Sequence, residues 1–374
     1  MEGLILLSPD RNGIKVNAKA FQKMNRLRLL HLSHIHLNGG YEHISRKLVW
    51  LRWHGFNLNF LPSQLYVENL VALDLSHSMI KQVWKGTKVK SLFLISLFQV
   101  LSPSCDYKLF LLPYFQQILV KLKFLYLNHC YYLTSTPDFS GLSNLEELFL
   151  DNCIRLVEVD GSIRYLQKLL VLDLTNCIRL RKLPSGPWML NTKILNLSGC
   201  SKLEAFAKFQ GATSKSGYSL LSSRALRTKS DDSILLSLNS VQGLRCLKLL
   251  RMANCGLSNI PIEIGTLIQL ECLDLVGNKF SSLPDNISNL TNLVHLNLNY
   301  CARLQSLPKL SASLQFVEVQ NCTSLERVSL ESDWQHTDML VYNCPQLDEN
   351  YFANELGRTC LQGSVLSLSL SQYF

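Results

Sequence analysis

A cysteine that keeps the same leucine company again and again constrains this chain more than any other feature. In "LLVLDLTNCIRLRKLP" from Leu169 it lies five residues after one leucine, three after another and three before a third. The frame returns as "LKFLYLNHCYYLTSTP" from Leu122, "LEELFLDNCIRLVEVD" from Leu145 and "LVHLNLNYCARLQSLP" from Leu293. Aligning on the second leucine gives a ladder of Leu30, Leu51, Leu73, Leu125, Leu148, Leu172, Leu195, Leu250, Leu273, Leu296 and Val317, with most steps of 21 to 24 residues. Self-similarity at such a period predicts a stack of like units, not one compact core.

The period and the L-x-x-L-x-L-x-x-(N/C)-x-L frame are those of a leucine-rich repeat. Within each unit the x-L-x-L segment alternates apolar and polar, so it predicts a short strand with leucines inside and the intervening residues outside. The expected fold is therefore α/β: a curved horseshoe solenoid with a parallel β-sheet on its concave face. One unit cannot stand alone. Ordering about 22 residues costs roughly 30 kcal/mol, while each buried leucine returns only about 1.5 to 3 kcal/mol.

The recurring thiol reads as a core peg. Where the chain turns inward after the strand, buried amides need partners. Asn278 in "LECLDLVGNKFSSLP" can bond them, and a small, weakly hydrogen-bonding Cys tolerates the same burial. Cys130, Cys153, Cys177, Cys200, Cys255, Cys301, Cys322 and Cys344 occupy this place. The 12 cysteines include no C-x-x-C pair and no Cys/His cluster at zinc spacing, so free thiols in a reducing compartment are expected. Units close on Leu-Pro or its equivalent at Leu61-Pro62, Leu183-Pro184, Ile260-Pro261, Leu283-Pro284 and Leu307-Pro308, where proline sets an extended backbone that forms no ladder bond. Short helical turns such as "DNISNLTNL" then lead back to the next strand.

The formal charge of +9 raises nucleic acid or an anionic membrane as partners, but the 37 Lys and Arg are spread along the chain without a basic run. The N-terminus lacks a basic region followed by an apolar one, as a secretory signal would have. No nucleic acid and no membrane span are expected.

Two intervals break the period. Leu195 to Leu250 spans 55 residues, and its Ser-, Gly- and Lys-rich segment 207–243 reads as a loop or a degenerate repeat. Leu73 to Leu125 spans 52 and contains an apolar stretch cut by Pro103, Asp106, Lys108 and Pro113, unlike a bilayer helix. Val89-Lys90 can be encoded by a splice-donor-like GTAAAG, and "LFLLPYFQ" by a pyrimidine tract ending in TTTCAG. Removing 89–116 leaves an in-register interval of 24 residues, so segment 89–118 reads as an irregular insertion, with a retained intron favoured over a genuine insert.

Longer strings carry a resemblance. "KLVWLRWHGFNLNFLPSQLYVENLVALDLSHSMIKQVWKGTK" (47–88) resembles the opening repeats of plant intracellular immune receptors that join TIR, nucleotide-binding and leucine-rich-repeat modules, of the tobacco-virus-resistance type. "LTSTPDFSGLSNLEELFLDNC" and "LNLSGCSKLEAF" are similar to their middle repeats, and "LQSLPKLSASLQFVEVQNCTSLERV" to their last. The resemblance implies that 1–20 is the junction from a missing nucleotide-binding module. Repeats then occupy 21–88, 119–206 and 244–350, and 351–374 is a truncated tail. It further implies a cytoplasmic or nuclear location and two kinds of partner: a pathogen effector or guarded host protein, and the parent receptor's nucleotide-binding module. ADP or ATP would belong to that module, because no G-x-x-x-x-G-K-(S/T) loop exists here and no cofactor is expected in this chain.

The candidate partner-binding residues are those between the paired leucines on the concave face: His31, Arg52, Asp74, Tyr126, Phe149, Asp173, Asn196, Arg251, Asp274, Asn297 and Glu318. Tyr, Phe and Arg are typical interface anchors. An alternative function is an extracellular leucine-rich-repeat ectodomain, which sequons at Asn196, Asn286, Asn289 and Asn321 would suit. An enzyme is not expected: Asp173, His295 and Ser198 form no fixed nucleophile, base and orienter.

Overall fold

The computed structural model describes residues 1–10, 12–84, 119–184, 189–203, 244–329 and 338–347. The segments read as an insertion (89–118), a loop (207–243) and a tail (351–374) lie outside the described residues.

The main sheet is built from strands of three to five residues. In chain order they are β1 (Gly3–Leu7), β3 (Leu29–Ser33), β5 (Trp50–His54), β6 (Ala72–Asp74), β7 (Phe124–Tyr126), β8 (Glu147–Phe149) and β9 (Val171–Asp173). There follow β10 (Ile194–Asn196), β11 (Leu249–Arg251), β12 (Cys272–Asp274), β13 (His295–Asn297), β15 (Phe316–Gln320) and β17 (Asp338–Tyr342). They form one 13-stranded sheet in sequence order, all neighbours parallel. The fold is a leucine-rich-repeat solenoid. Two small pairs, β2 (Ile14–Asn17) with β4 (Ile35–Asn38) and β14 (Ser306–Leu307) with β16 (Arg327–Val328), lie outside this sheet.

Every ladder leucine meets the next: Leu30 pairs with Leu51, Leu51 with Leu73, Leu148 with Leu172, and Leu296 with Val317. Two rungs extend the ladder beyond its expected ends, with Leu4 opposite Leu30 and Met339 opposite Val317. The segment read as a junction thus supplies β1, the first strand of the sheet. At both long intervals the sheet closes directly, with Leu73 opposite Leu125 and Leu195 opposite Leu250. Around the first, the Lys123 and Phe124 amides both donate to the Val71 carbonyl, at 2.8 and 3.1 Å. Because β6 and β7 are already bonded neighbours, deleting residues 89–116 is expected to leave the melting temperature within a few degrees of the parent, loop length being a weak entropic variable. A loss of the cooperative transition would show that the deleted residues hold the two strands together.

The interior is a continuous file of leucines, with Trp53, Phe21, Phe56, Phe139 and Phe280 as its largest buried side chains. Away from the main sheet the chain forms 3-10 turns, at Ala18–Phe21, Tyr41–His43, Gly161–Tyr165, Ile262–Thr266 and Asp285–Asn289, and no α-helix among the described residues. Pro261 and Pro284 open two of these turns in extended conformation, because a fixed φ near −70° needs no amide there. Ladder bonding is not wholly absent beside the prolines. Ser282, Ser306 and Arg327 pair in a short parallel run next to Leu283 and Leu307.

The peg cysteines are buried as the sequence leads one to expect, and each also makes a hydrogen bond to a backbone carbonyl. Each Sγ donates to the carbonyl of the leucine or valine that ends the preceding rung: Cys130 to Leu75, Cys153 to Leu127, Cys177 to Leu150 and Cys322 to Leu298, at 3.1 to 3.3 Å. Asn278 does both jobs, donating to Met252 and Leu275 carbonyls at 2.8 and 2.7 Å and accepting from the Leu257 amide at 3.0 Å. Burial pushes the Cys177 and Cys255 thiols up to about 12 and Cys301 to about 11, so they stay protonated and unreactive. All eight pegs are free thiols, seven buried and Cys344 half-buried.

Before each peg the backbone is left-handed. His129, Asn152, Asn176, Gly199, Asn254 and Gly277 have φ between 54° and 76°, a region Asn and Gly enter at least cost. At Gly199 and Gly277 a Cβ would collide with the Asn176 and Asn254 side chains, so glycine answers a close approach as well as a turn.

Candidate recognition face

Alternation puts three side chains of every rung on the open side of the sheet, the concave side of such a solenoid. In β7 and its turn these are Phe124, Tyr126 and Asn128; in β8, Glu147, Phe149 and Asp151; in β9, Val171, Asp173 and Thr175. Three parallel files result, spaced by about 4.8 Å per strand.

The eleven candidate residues occupy the middle file, one per rung from β3 to β15. Five of them face their own backbone. Oδ1 of Asp74, Asp173, Asn196, Asp274 and Asn297 accepts from the amide two residues on, at 2.8 to 3.1 Å. These side chains hold the inward turn together, which leaves them less to offer a partner.

The others differ in kind. Arg52 Nε donates to Asp74 Oδ2 at 2.7 Å, and His54 Nε2 lies 3.1 Å from the same oxygen. Burial would raise the Asp74 carboxyl, but hydrogen bonds from His54, Ser76 and Arg52 outweigh it and hold the group well below the usual carboxylate range. His31 is lowered by burial and by Arg52, and its Nε2 is buried without a partner. Glu318 accepts from His295 at 2.8 Å and from Asn297 and Asn299. His295 is pushed up to about 9 by its contact with Cys272 and by Glu318; of the two, the 2.8 Å carboxylate contact is the stronger physical cause, the thiol being 3.7 Å away. Arg251 stands beside Asp274 and tends to lower its carboxyl, although burial dominates and raises it.

Tyr126 and Phe149 stack, centroids 5.1 Å apart and planes 13° from parallel. Around them carboxylates gather. Burial pushes Glu147 up, and Glu146 adds to the effect. Asp173 is pushed up by burial and then by Asp151. On the N-terminal side, imidazoles form a line: His31 to His54 at 5.7 Å, His54 to His77 at 5.9 Å, and His77 stacked on His129 at 4.4 Å. Burial and the neighbouring His129 lower His77.

The first file went unread in the sequence. Leu29, Trp50, Ala72, Phe124, Val171, Ile194 and Leu249 stand in register beside the middle file. Leu29 and Trp50 are 44% and 43% exposed, large for apolar side chains on a folded surface. Period two would have found them, since the residue two before each candidate faces the same way. Among the described residues no group of three or more His, Cys, Asp or Glu is placed to hold a metal ion, and no helix is long and apolar enough to cross a membrane.

A parallel solenoid with an open face of mixed apolar, aromatic and charged files is a protein-interaction scaffold of the leucine-rich-repeat class. Residues 216–340 match the family described as leucine-rich repeat region. Over its whole length the chain is 27% identical to the disease resistance-like protein DSC1 of Arabidopsis thaliana, covering 37% of that protein. It is 27% identical to the Arabidopsis disease resistance protein RML1A, over 98% of this chain and 33% of the relative. Over 62% of the chain it is 30% identical to the Arabidopsis protein SUPPRESSOR OF npr1-1, CONSTITUTIVE 1, of which it covers 14%. A leucine-rich-repeat protein of Leptospira interrogans, LIC12759, aligns over 93% of this chain and 89% of its own with a TM-score of 0.44 and 18% identity. Along its length the chain is thus similar to plant disease resistance proteins, and its C-terminal part matches a leucine-rich repeat region. It spans about a third of the length of DSC1 and RML1A.

Proposed function

We propose that this chain is the recognition region of an intracellular plant immune receptor, resident in cytoplasm or nucleus. Its open face takes a pathogen effector or a guarded host protein, and in the resting receptor the region restrains the nucleotide-binding module. ADP or ATP is bound by that module and not by this chain. A ligand that prefers the released state shifts the receptor toward signalling by its differential affinity for the two states. The observation that carries this reading is the unbroken 13-strand face with exposed Leu29, Trp50 and a stacked Tyr126–Phe149 pair, in a chain similar along its length to disease resistance proteins.

Co-expression of this chain with the nucleotide-binding module of its parent receptor tests it. The two are expected to co-purify, with the module's nucleotide exchange slowed in the complex. Separate purification and unchanged exchange would refute the restraining role. A fluorescent fusion found glycosylated in the secretory pathway would favour an extracellular ectodomain instead.

A further inference from the structure

The open face is chemically uneven, and the unevenness specifies an occupant. At β7 to β9, Phe124 and Val171 supply apolar surface while Tyr126 and Phe149 stack on one face each. Stacking leaves the outer face of Phe149 toward β9, where Asp173 sits opposite it in register. Glu147, in the same strand as Phe149, receives only the Tyr126 hydroxyl, at 3.5 Å. Asp173 is bonded by Thr175 and Asn196. Asp151 is bonded by Asn128 and Asn152, with His129 3.8 Å away. Among the described residues no lysine or arginine pairs with any of these three carboxylates, although the chain as a whole carries a formal charge of +9. The one full ion pair at this edge, Lys123 with Glu146 at 2.7 Å, is self-contained. Elsewhere on the face Asp74 is paired with Arg52 and His54 and Glu318 with His295, while Asp274 accepts from the Val276 amide with Arg251 beside it in register.

An aromatic face beside half-buried carboxylates that no lysine or arginine neutralises, Glu147 the most open of them, attracts a desolvated cation by its quadrupole and by charge. The guanidinium of arginine suits it best, being planar, weakly hydrated and able to stack while donating to carboxylate. Apolar Phe124 and Val171 on the same rungs then cover the neighbouring side chains of the segment that carries it. Building on the recognition role above, we infer that the Tyr126–Phe149 patch docks an extended segment of a partner protein through an arginine or lysine flanked by apolar residues. Mutual repulsion among these carboxylates is relieved when the cation arrives, so affinity falls as pH drops through the carboxylate range and as salt rises.

A phage library of random 12-residue peptides panned on the immobilised full chain tests the assignment. Enriched peptides are expected to carry Arg or Lys beside aromatic or aliphatic residues. A synthetic peptide of that kind should bind at least tenfold more weakly to Phe149→Ser and several-fold more weakly to Glu147→Gln. It should bind undiminished to Leu340→Ser, a change on the same face at β17. Matching melting curves for the three variants exclude misfolding as the cause. Enrichment of acidic peptides, no enrichment, or equal binding to Phe149→Ser overturns the inference. So does self-association of the chain that Phe149→Ser abolishes, since the occupant would then be a second copy. If the nucleotide-binding module still co-purifies with the parent chain while the peptide result is negative, the patch assignment falls and the receptor role stands.

Discussion

Asn278→Ala is expected to destabilise the solenoid by about 3 to 4 kcal/mol, one of the largest effects open to a single polar residue here. The side chain makes three buried hydrogen bonds, to the Met252 and Leu275 carbonyls and from the Leu257 amide. Deleting it orphans groups that no water reaches, and each such group costs about 1 to 3 kcal/mol. Asn278→Cys is the informative companion. Eight other rungs place a thiol here and bond a carbonyl with it, so cysteine restores one donor while leaving the Leu257 amide unmet, a loss of about 1 to 2 kcal/mol. Urea unfolding of the three proteins orders them as parent, cysteine, alanine. A cysteine variant as weak as the alanine one would show that the thiol contributes nothing at its carbonyl.

Asp74→Ala is expected to cost about 2 to 3 kcal/mol at neutral pH. Oδ1 accepts from the Ser76 amide at 3.0 Å and hydroxyl at 2.6 Å, and Oδ2 from Arg52 and His54, in a side chain only 6% exposed. Breaking a buried charged network is expensive because the partners remain. Arg52 is itself 40% exposed, so water repays part of its loss and the figure sits below the full range for buried pairs. The pH dependence follows from the depressed carboxyl. Its contribution is complete above the unfolded value near 4 and is lost as pH falls below it toward the folded value. Asp74→Asn, which keeps the acceptor for Ser76 but not the charge, should approach the parent in stability as the pH is lowered below about 3. A gap between them that stays constant from pH 7 to pH 3 would rule out the charge as the source.

The ladder was readable because leucine spacing and strand alternation report the same inward direction, and all eleven predicted rungs pair in register. Its ends were harder. "GLILL" and "DMLVY" place Leu4 and Met339 on the ladder, yet the five-residue β1 carries no peg cysteine and β17 puts methionine where the frame expects leucine. The recognition face was read on the correct side and only in part. An Asp at a strand's solvent position looks free until the chain turns inward two residues later and brings an amide onto it, as Ser76 and Thr175 do. That geometry depends on the left-handed residue before the peg, which the frame leaves as an unspecified x. The apolar file containing Trp50 and Phe124 escaped because only the residue between each leucine pair was counted, although the same pleat exposes its predecessor.

The two direct junctions, β6 to β7 and β10 to β11, separate sequence distance from spatial distance. Residues 52 and 55 positions apart become nearest neighbours there, whereas elsewhere neighbours are about two dozen apart. Closing a chain segment twice as long adds about 0.6 kcal/mol of entropy at each such seam, little for the finished stack but a delay in reaching it. Assembly should therefore begin within the uninterrupted blocks β1 to β6, β7 to β10 and β11 to β17, and the seams should zip last and open first.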